Sequence, residues 1–456
     1  TRLAFDTNPA VGAHTGFTRN LPLGIAVENI RSQGSSLVAD VVRERLPGHI
    51  HTDTTWSGDV VLDGDLVIEP GARLRLAPGT TVRFAASDSR RTGFSPERCE
   101  LIAYGELRLP ATGEDPARFL SAAAQPGAAE WQGVFLLNGQ AFDEASAVLE
   151  NAAFDLVRSH LPQGTTRWSG RRDMPFDLVI PAGAELVVEA GSRLGFSSMD
   201  MGGSGQFPEL TELLVEGRLE VDATPAQPAT FTLASGRRDS LWYGVHLKDG
   251  AELVASNLNA DQGVVLIGGE VGAEAALVLE DSHLSSSAGY GLRLTVNGVA
   301  EVTRTTITRH PLQGIYAEGS GTLLLRNSAV VENGQEGIFL GNCSLEAIDC
   351  RIEQSGLLDA NDPRSGLVAV GGRGQRIELW NSTVASNPLH GLDLSQWQGR
   401  LELHSTVISA NRRSGLQAMG LELLVFEDAA IERNLGAGAV VGGSPLEVWT
   451  TSFADN

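Results

Sequence analysis

Apolar and polar residues alternate along this chain at two scales. Locally, apolar side chains recur every second residue over short runs, as in Leu323/Leu325, Ile377/Leu379, Leu401/Leu403, Leu424/Phe426 and Leu446/Val448. Such runs predict strands with one buried face. At longer range the runs themselves repeat. RNSAVVEN ends at Asn333, WNSTVASN at Asn387, HSTVISAN at Asn411, EDAAIERN at Asn434 and TTSFADN at Asn456. RTTITRH to His310, DSHLSSS to Ser287 and DCRIEQS to Ser355 are further copies. A glycine recurs downstream at Gly291, Gly314, Gly337, Gly366, Gly391, Gly415 and Gly438, at intervals of 23, 23, 29, 25, 24 and 23 residues. The interval of 29 is one period plus the loop GLLDANDPRSG.

Each period carries three short alternating runs: one ending eight residues before the asparagine position, one three before it, and one just after the glycine. A strand that short cannot bury its face alone. Three per turn, stacked on the next turn, share a continuous core. The expectation is an all-β parallel β-helix with three strands per coil, about 23 residues per coil in the C-terminal half. The asparagines Asn333, Asn387, Asn411, Asn434 and Asn456 are expected to form a structural ladder, each adopting positive φ at a tight corner and bonding the amide one coil away. The glycine four residues on is expected to supply the turn into the next strand. The pattern resembles the right-handed, pectin-lyase-like superfamily over roughly residues 52–456. That resemblance implies a right-handed solenoid and, in its enzymes, polysaccharide cleavage with clustered carboxylates, Ca²⁺ and an arginine or lysine.

The first half repeats at longer spacing. TTWSGDVVLDGDLVIEPGARLRLAPGTTVRF (54–84) is echoed by TTRWSGRRDMPFDLVIPAGAELVVEAGSRLGF (165–196), and EWQGVFL by LWYGVHL. The domain reading is therefore N-terminal strands over 1–45, duplicated wide coils over 46–262 in blocks of about 52–156 and 165–262, and compact coils over 263–456. The W-x-G-V-x-L phrases resemble those of bacterial cell-surface β-helix proteins. The final TTSFADN stops on the asparagine position, so the repeat predicts three further residues and another Gly-hydrophobic strand; the chain reads as a segment of a larger protein. Residues 1–42, with DTNPA, GIAVENI and LVADVV, resemble the closing segment of immune-inhibitor-A-type secreted metalloproteases, which implies a protease domain upstream. The HExxH zinc motif is absent from the chain. The alternative is a hairpin capping the first coil.

Composition narrows the partners. The net charge is −22, which argues against nucleic acid, whose binding needs a cationic surface. No apolar run is long enough for a membrane-spanning helix, and no signal peptide or initiator Met is seen. Lys248 is the one lysine; an acidic, lysine-poor surface suits an extracellular setting, and a GC-rich genome would give the same bias. Cys99, Cys343 and Cys350 are too few for a disulfide framework, and buried thiols are expected, a Cys343–Cys350 bridge being the alternative.

Candidate chemistry lies on outward columns. The ninth residue before the asparagine position reads Glu301, Leu324, Glu346, Glu378, Glu402, Val425, Glu447. Two residues on, the same face carries Trp380, His404, Glu427 and Trp449. A ladder of carboxylates beside tryptophans suits Ca²⁺ or a sugar-stacking platform. The opposing reading is a solvated face relieved by Arg376 and Arg400. Tyr316, Phe339 and Val368 form a separate apolar stripe. Asp359 and Asp362 in the DANDP loop are weak metal candidates, a turn being the simpler account. No catalytic signature stands out. The expected function is a non-catalytic extracellular module binding polysaccharide or another surface, linked to upstream and downstream domains; a polysaccharide lyase or glycoside hydrolase is the alternative.

Overall fold

The computed structural model describes residues 48–456 in full apart from 90–92, 138, 141, 154–155, 201, 203–204, 235–239, 274 and 357–361; before residue 48 it describes the backbone of three strands. Those strands, Leu3–Ala4, Ile25–Gln33 and Ser36–Arg43, form one antiparallel sheet. A hairpin therefore occupies part of 1–42, while DTNPA lies outside the described residues.

The chain divides into two compact units. The first comprises residues 1–162 with 175–178 and 199–209. Here three parallel sheets alternate along the chain. One runs in the order Leu156–Arg158, Gly133–Leu136, Glu100–Ala103, Leu66–Ile68, His49–Ile50; the others have three and four strands. Leu66, Leu74, Val82, Leu101, Phe119 and Val134 fill the space they enclose.

The second unit, residues 163–174, 179–198 and 210–456, carries the compact coils. Among the described residues, sheet I has twelve strands from Gly164–Trp168 to Leu446–Trp449. Sheet II has twelve from Arg171–Met174 to Ser452–Ala454, and sheet III eleven from Leu178–Ile180 to Ala439–Gly442. Among the described residues their strands pair in parallel, and residues one period apart face each other: Leu323↔Leu345, Ile307↔Val330, Ile315↔Ile338. These inward positions are all buried. The WxGV phrases are a packing device. Trp131 and Trp242 are both fully buried, stack on Phe84 and Phe196 at 4.5 and 4.2 Å, and donate their indole N–H to the carbonyls of Glu150 and Asp261 at 2.8 Å.

The corner between sheets II and III departs from expectation in two ways. Positive φ falls on the residue before each asparagine, Glu332, Ser386, Ala410, Arg433 and Asp455, and on Gln354 before Ser355, not on the asparagine itself. That residue turns the chain and lets the asparagine side chain point inward. Asn411 Oδ1 accepts from the backbone N–H and Nδ2 of Asn387, both at 3.0 Å. Its Nδ2 donates to Asn434 Oδ1 at 2.9 Å and to the Val384 carbonyl at 3.2 Å. Asn434 repeats this with Asn456. Elsewhere the rung is filled by other side chains: Asn333 takes the His310 N–H, Ser355 takes the Asn333 N–H, and Asn387 takes the Ser355 N–H. His310, pushed down to about 4 chiefly by burial, stays neutral; its Nδ1 faces the Ser287 hydroxyl and its Nε2 the Leu284 carbonyl.

The recurring glycine also has a different cause. It lacks positive φ at these positions; what it supplies is space. A Cβ on Gly391 would lie 2.6 Å from the Gly415 oxygen and 2.9 Å from Asn411 Nδ2. The opposite corner holds a second ladder, of hydroxyls: Ser282 N–H bonds Thr305 Oγ1, Thr305 N–H bonds Ser328 Oγ, and Cys350 N–H bonds Ser382 Oγ, at 3.0–3.2 Å. Among the described residues all three cysteines are buried free thiols, and burial raises Cys343 and Cys350 to about 11.

Asn411→Ala strips four hydrogen bonds from a buried corner and should cost about 1–3 kcal/mol. Asn411→Asp should be comparably harmful at neutral pH, because its carboxylate cannot donate to Asn434 Oδ1 or the Val384 carbonyl. Arg412→Ala, at the exposed neighbouring position, should change stability by about 0.5 kcal/mol or less. Denaturant unfolding of the three variants checks this; equal losses at 411 and 412 would refute the ladder's role.

Candidate functional site

The carboxylate column of sheet I stands in strict register, Glu301↔Leu324↔Glu346↔Glu378↔Glu402↔Val425↔Glu447. Its carboxylates are largely matched by cations of the same face. Arg326 reaches Glu346 at 3.5 Å, Arg376 reaches Glu378 at 2.9 Å and Arg400 reaches Glu402 at 3.2 Å. Glu378 is only 8 % exposed; Arg376 and Arg400 stand where the solvated-face reading put them. A Ca²⁺ ion would have to displace these arginines. In the next column Trp380 stacks face to face on His404 at 3.7 Å, and His404 Nδ1 bonds Glu427 at 2.9 Å. His404 is thereby buried, while Trp380 and Trp449 remain 41 % and 60 % exposed. Of the DANDP pair, Asp362 is engaged by Arg364, and Asp359 lies outside the described residues.

A different constellation stands on the outer face of sheet III. The strands Gly244–Leu247, Val265–Val271, Tyr290–Val296 and Ile315–Glu318 are successive neighbours. Their register aligns His246, Gly268, Arg293, Tyr316, Phe339 and Val368 in one outward column. Gly268 is buried, with the Val265 side chain 3.1 Å from where its Cβ would stand. Lys248 lies two residues beyond His246 on the same face. Aromatic rings stand nearby: the buried Tyr243 with its centroid 6.5 Å from His246, Tyr290 under the Arg293 guanidinium at 5.5 Å, and Tyr316 at 6.0 Å from Tyr290. Phe339 stacks on Tyr316 at 4.9 Å.

Neither Lys248 nor Arg293 has an ion-pair partner among the described residues, whereas the arginines of sheet I largely do. Burial first, then the charges of Lys248 and Arg293, push His246 down to about 4. Burial likewise lifts Tyr243 to about 12, against the pull of Arg293. Glu270 and Glu318, two residues beyond Gly268 and Tyr316, border the patch. This face thus offers two cations, a neutral imidazole and the partly exposed rings of Tyr290 and Tyr316. The sequence reading caught Tyr316, Phe339 and Val368 but not the cations. Their only signal was an oddity, the single lysine.

The first unit holds a feature the sequence reading also passed over. Asp65, Asp88 and Glu100 recur 112 residues on as Asp177, Asp200 and Glu212, and all six are buried. Glu100 takes the Phe94 and Ser95 N–H groups, while its own N–H bonds Asp65 Oδ1 at 3.0 Å. Burial, and next the charge of Asp65, hold the Glu100 carboxyl well above the ordinary glutamate range.

Comparison with known proteins bears on the fold. The family described as right handed beta helix region matches residues 243–408 and 290–453. Together with the three parallel sheets, this makes the chain a right-handed parallel β-helix, the fold that the pectin-lyase-like resemblance implies. Similar solved structures include the periplasmic alginate epimerase AlgG, at 12 % identity and TM-score 0.46, over 64 % of this chain and 84 % of that one. Pectate lyase Pel9A is similar at 13 % identity and TM-score 0.41, over 61 % and 71 %. The Azotobacter vinelandii mannuronan C-5 epimerase AlgE4 A-module gives 12 % and 0.29, over 84 % and 91 %. No curated protein matches the sequence. None of these similarities supports the metalloprotease resemblance of residues 1–42. Among the described residues no helix is long and apolar enough to cross a membrane.

The raised Glu100 makes a signed prediction. An acid whose folded-state pKa exceeds its unfolded one contributes full stability below the unfolded value and loses it as pH rises through the folded one. Unfolding free energy should therefore fall from pH 4 towards alkaline pH, and Glu100→Gln, always neutral, should flatten that fall and be the more stable form at pH 8. Denaturant titrations at several pH values test it; parallel pH profiles for variant and wild type would contradict it.

Proposed function

We propose that this chain is a non-catalytic, extracellular or surface-exposed module that holds an acidic polysaccharide against the outer face of sheet III. One observation carries the reading. On a chain of net charge −22, two cations without ion-pair partners, Lys248 and Arg293, stand on one outward face beside the partly exposed rings of Tyr290 and Tyr316. Cations oppose carboxylates of a uronate polymer, and tyrosine faces stack on its pyranose rings. Coils roughly 4.8 Å apart present Arg293, Tyr316 and Phe339 in succession along a linear ligand. The sheet I column is less suited, because its carboxylates are already engaged by Arg326, Arg376 and Arg400 and would repel the same polymer.

A lyase or epimerase acting on the same polymer is the second reading, and one feature favours it. His246 stays uncharged at neutral pH beside two cations, which is the state a base needs to take a proton next to a carboxylate.

Calorimetric titration with polygalacturonate, alginate and neutral dextran tests the proposal. The two polyuronates should bind, more weakly as salt rises, and dextran should not. Arg293→Ala and Lys248→Ala should each weaken binding about tenfold, roughly 1.4 kcal/mol, while Trp380→Ala leaves it unchanged. Loss at Trp380 with none at Arg293 would move the site to sheet I; equal binding of dextran would remove it from both. Appearance of unsaturated uronate or epimerised product, abolished by His246→Ala, would establish the enzymatic reading instead.

A further inference from the structure

We propose that His49, His51 and Glu69 form a binding site for a divalent transition-metal ion of the zinc type, in the first unit and independent of the polysaccharide face.

The geometry follows from the strand. In His49–Ile50–His51 the side chains alternate, so Ile50 enters the core and both imidazoles share the outer face. The next strand pairs in parallel, His49 with Val67 and Ile50 with Ile68. Continuing that register sets Glu69 level with His51, and the Glu69 N–H bonds the Ile50 carbonyl at 3.0 Å. The two imidazole rings lie nearly parallel with centroids 5.8 Å apart, and His49 Nδ1 bonds Glu69 Oε1 at 2.8 Å. One ligand atom from each of the three residues lies within 4.8 Å of the others. Among the described residues no other group of three histidine, cysteine or carboxylate side chains comes together this way.

The donor set selects the metal. Two imidazole nitrogens and one carboxylate oxygen suit Zn²⁺, with bonds of about 2.0–2.2 Å and a fourth position for water. Ca²⁺ and Mg²⁺, which take oxygen ligands, are disfavoured. The surroundings are prepared as well. All three residues are partly buried, so little side-chain freedom remains to be lost on binding. One coil further, Ile68 pairs with Ala103, which sets Tyr104 level with Glu69. The buried Tyr104 hydroxyl has no hydrogen-bond partner among the described residues, and after burial the Glu69 charge is what raises its pKa most.

The position gives the site a role. His49–Ile50 is a two-residue strand at the edge of its sheet. An ion bridging it to Glu69 would tie that edge strand to the coil above, where few backbone hydrogen bonds do so. Metal bound only to the folded state raises its stability by mass action.

The test uses the full chain, freed of metal with EDTA and dialysed. Titration with ZnCl₂ should show one ion per chain and a rise in melting temperature, and CoCl₂ should give the visible bands of a four-coordinate site. CaCl₂ should give neither. His49→Ala and His51→Ala should each weaken Zn²⁺ binding at least tenfold and abolish the thermal shift, and Glu69→Gln should weaken it less. His404→Ala, on sheet I, should have no effect. Melting in EDTA shows whether each variant is folded, and His51→Gln, which keeps the bulk of the side chain, replaces any that is not. Absence of stoichiometric Zn²⁺ binding to the wild type, or binding that survives His49→Ala/His51→Ala, overturns the proposal. Polyuronate binding is expected to persist in EDTA, so the two proposals fail separately.

Discussion

A coil of about 23 residues must turn three times, and each turn exposes backbone N–H groups that no strand partner can satisfy. At the sheet II–III corner that problem is solved by one side chain per coil, whose oxygen accepts the N–H of the coil before it. The asparagines do this best because the amide offers both an acceptor and a donor: Asn387, Asn411, Asn434 and Asn456 each complete the bond of their neighbour. The other features of the compact coils follow from it. The residue before the rung adopts positive φ so that the amide can point inward. The glycine after it has no side chain because the next rung's amide occupies that space. The period tolerates loops such as 356–366, since they leave the corner in place and lengthen only the passage beyond it.

Because adjacent coils touch only their neighbours, stability in such an array is close to a sum of local terms. Rungs of weaker chemistry, His310 and Ser355, can therefore be accommodated where neighbouring coils are sound. The hydroxyl ladder at the opposite corner works the same way with a smaller group. The outer faces are then free to differ. Sheet I matches Glu378 and Glu402 with arginines two residues earlier on the same strand and Glu346 with Arg326 of the preceding coil, whereas sheet III leaves its cations open.

How much of this was legible depended on whether the signal was local or lay in register. Strand periodicity, the asparagine and glycine spacing and the Arg376–Glu378 and Arg400–Glu402 pairs could be read because each lies within one repeat. The site of positive φ could not, since Glu332, Gln354, Ser386, Ala410 and Arg433 have no residue type in common. The glycine was assigned to conformation because sequence spacing cannot show a contact one coil away. The cationic face was invisible for a related reason. His246 and Arg293 lie 47 residues apart in sequence, and only the pairing of each with Gly268 places them together.

The same reasoning explains why the acidic balance of the chain does not describe its faces. Net charge averages over three sheets whose outward columns repeat independently, each column compounding whatever residue the repeat places there. On sheet I that compounding would be destabilising for glutamate alone, since like charges in register repel; the arginines of the same face oppose it, from the same strand at Glu378 and Glu402 and from the neighbouring one at Glu346. On sheet III the column instead carries a neutral imidazole, a glycine, an arginine and then aromatic rings, so no like charges meet in adjacent coils. An anion approaching sheet III meets Lys248 and Arg293, with Glu270 and Glu318 standing in the column of Lys248. Local arrangement, not the total of −22, decides which surface an anionic chain can approach, and the screening length of about 8 Å at physiological salt is short enough for that local difference to be felt.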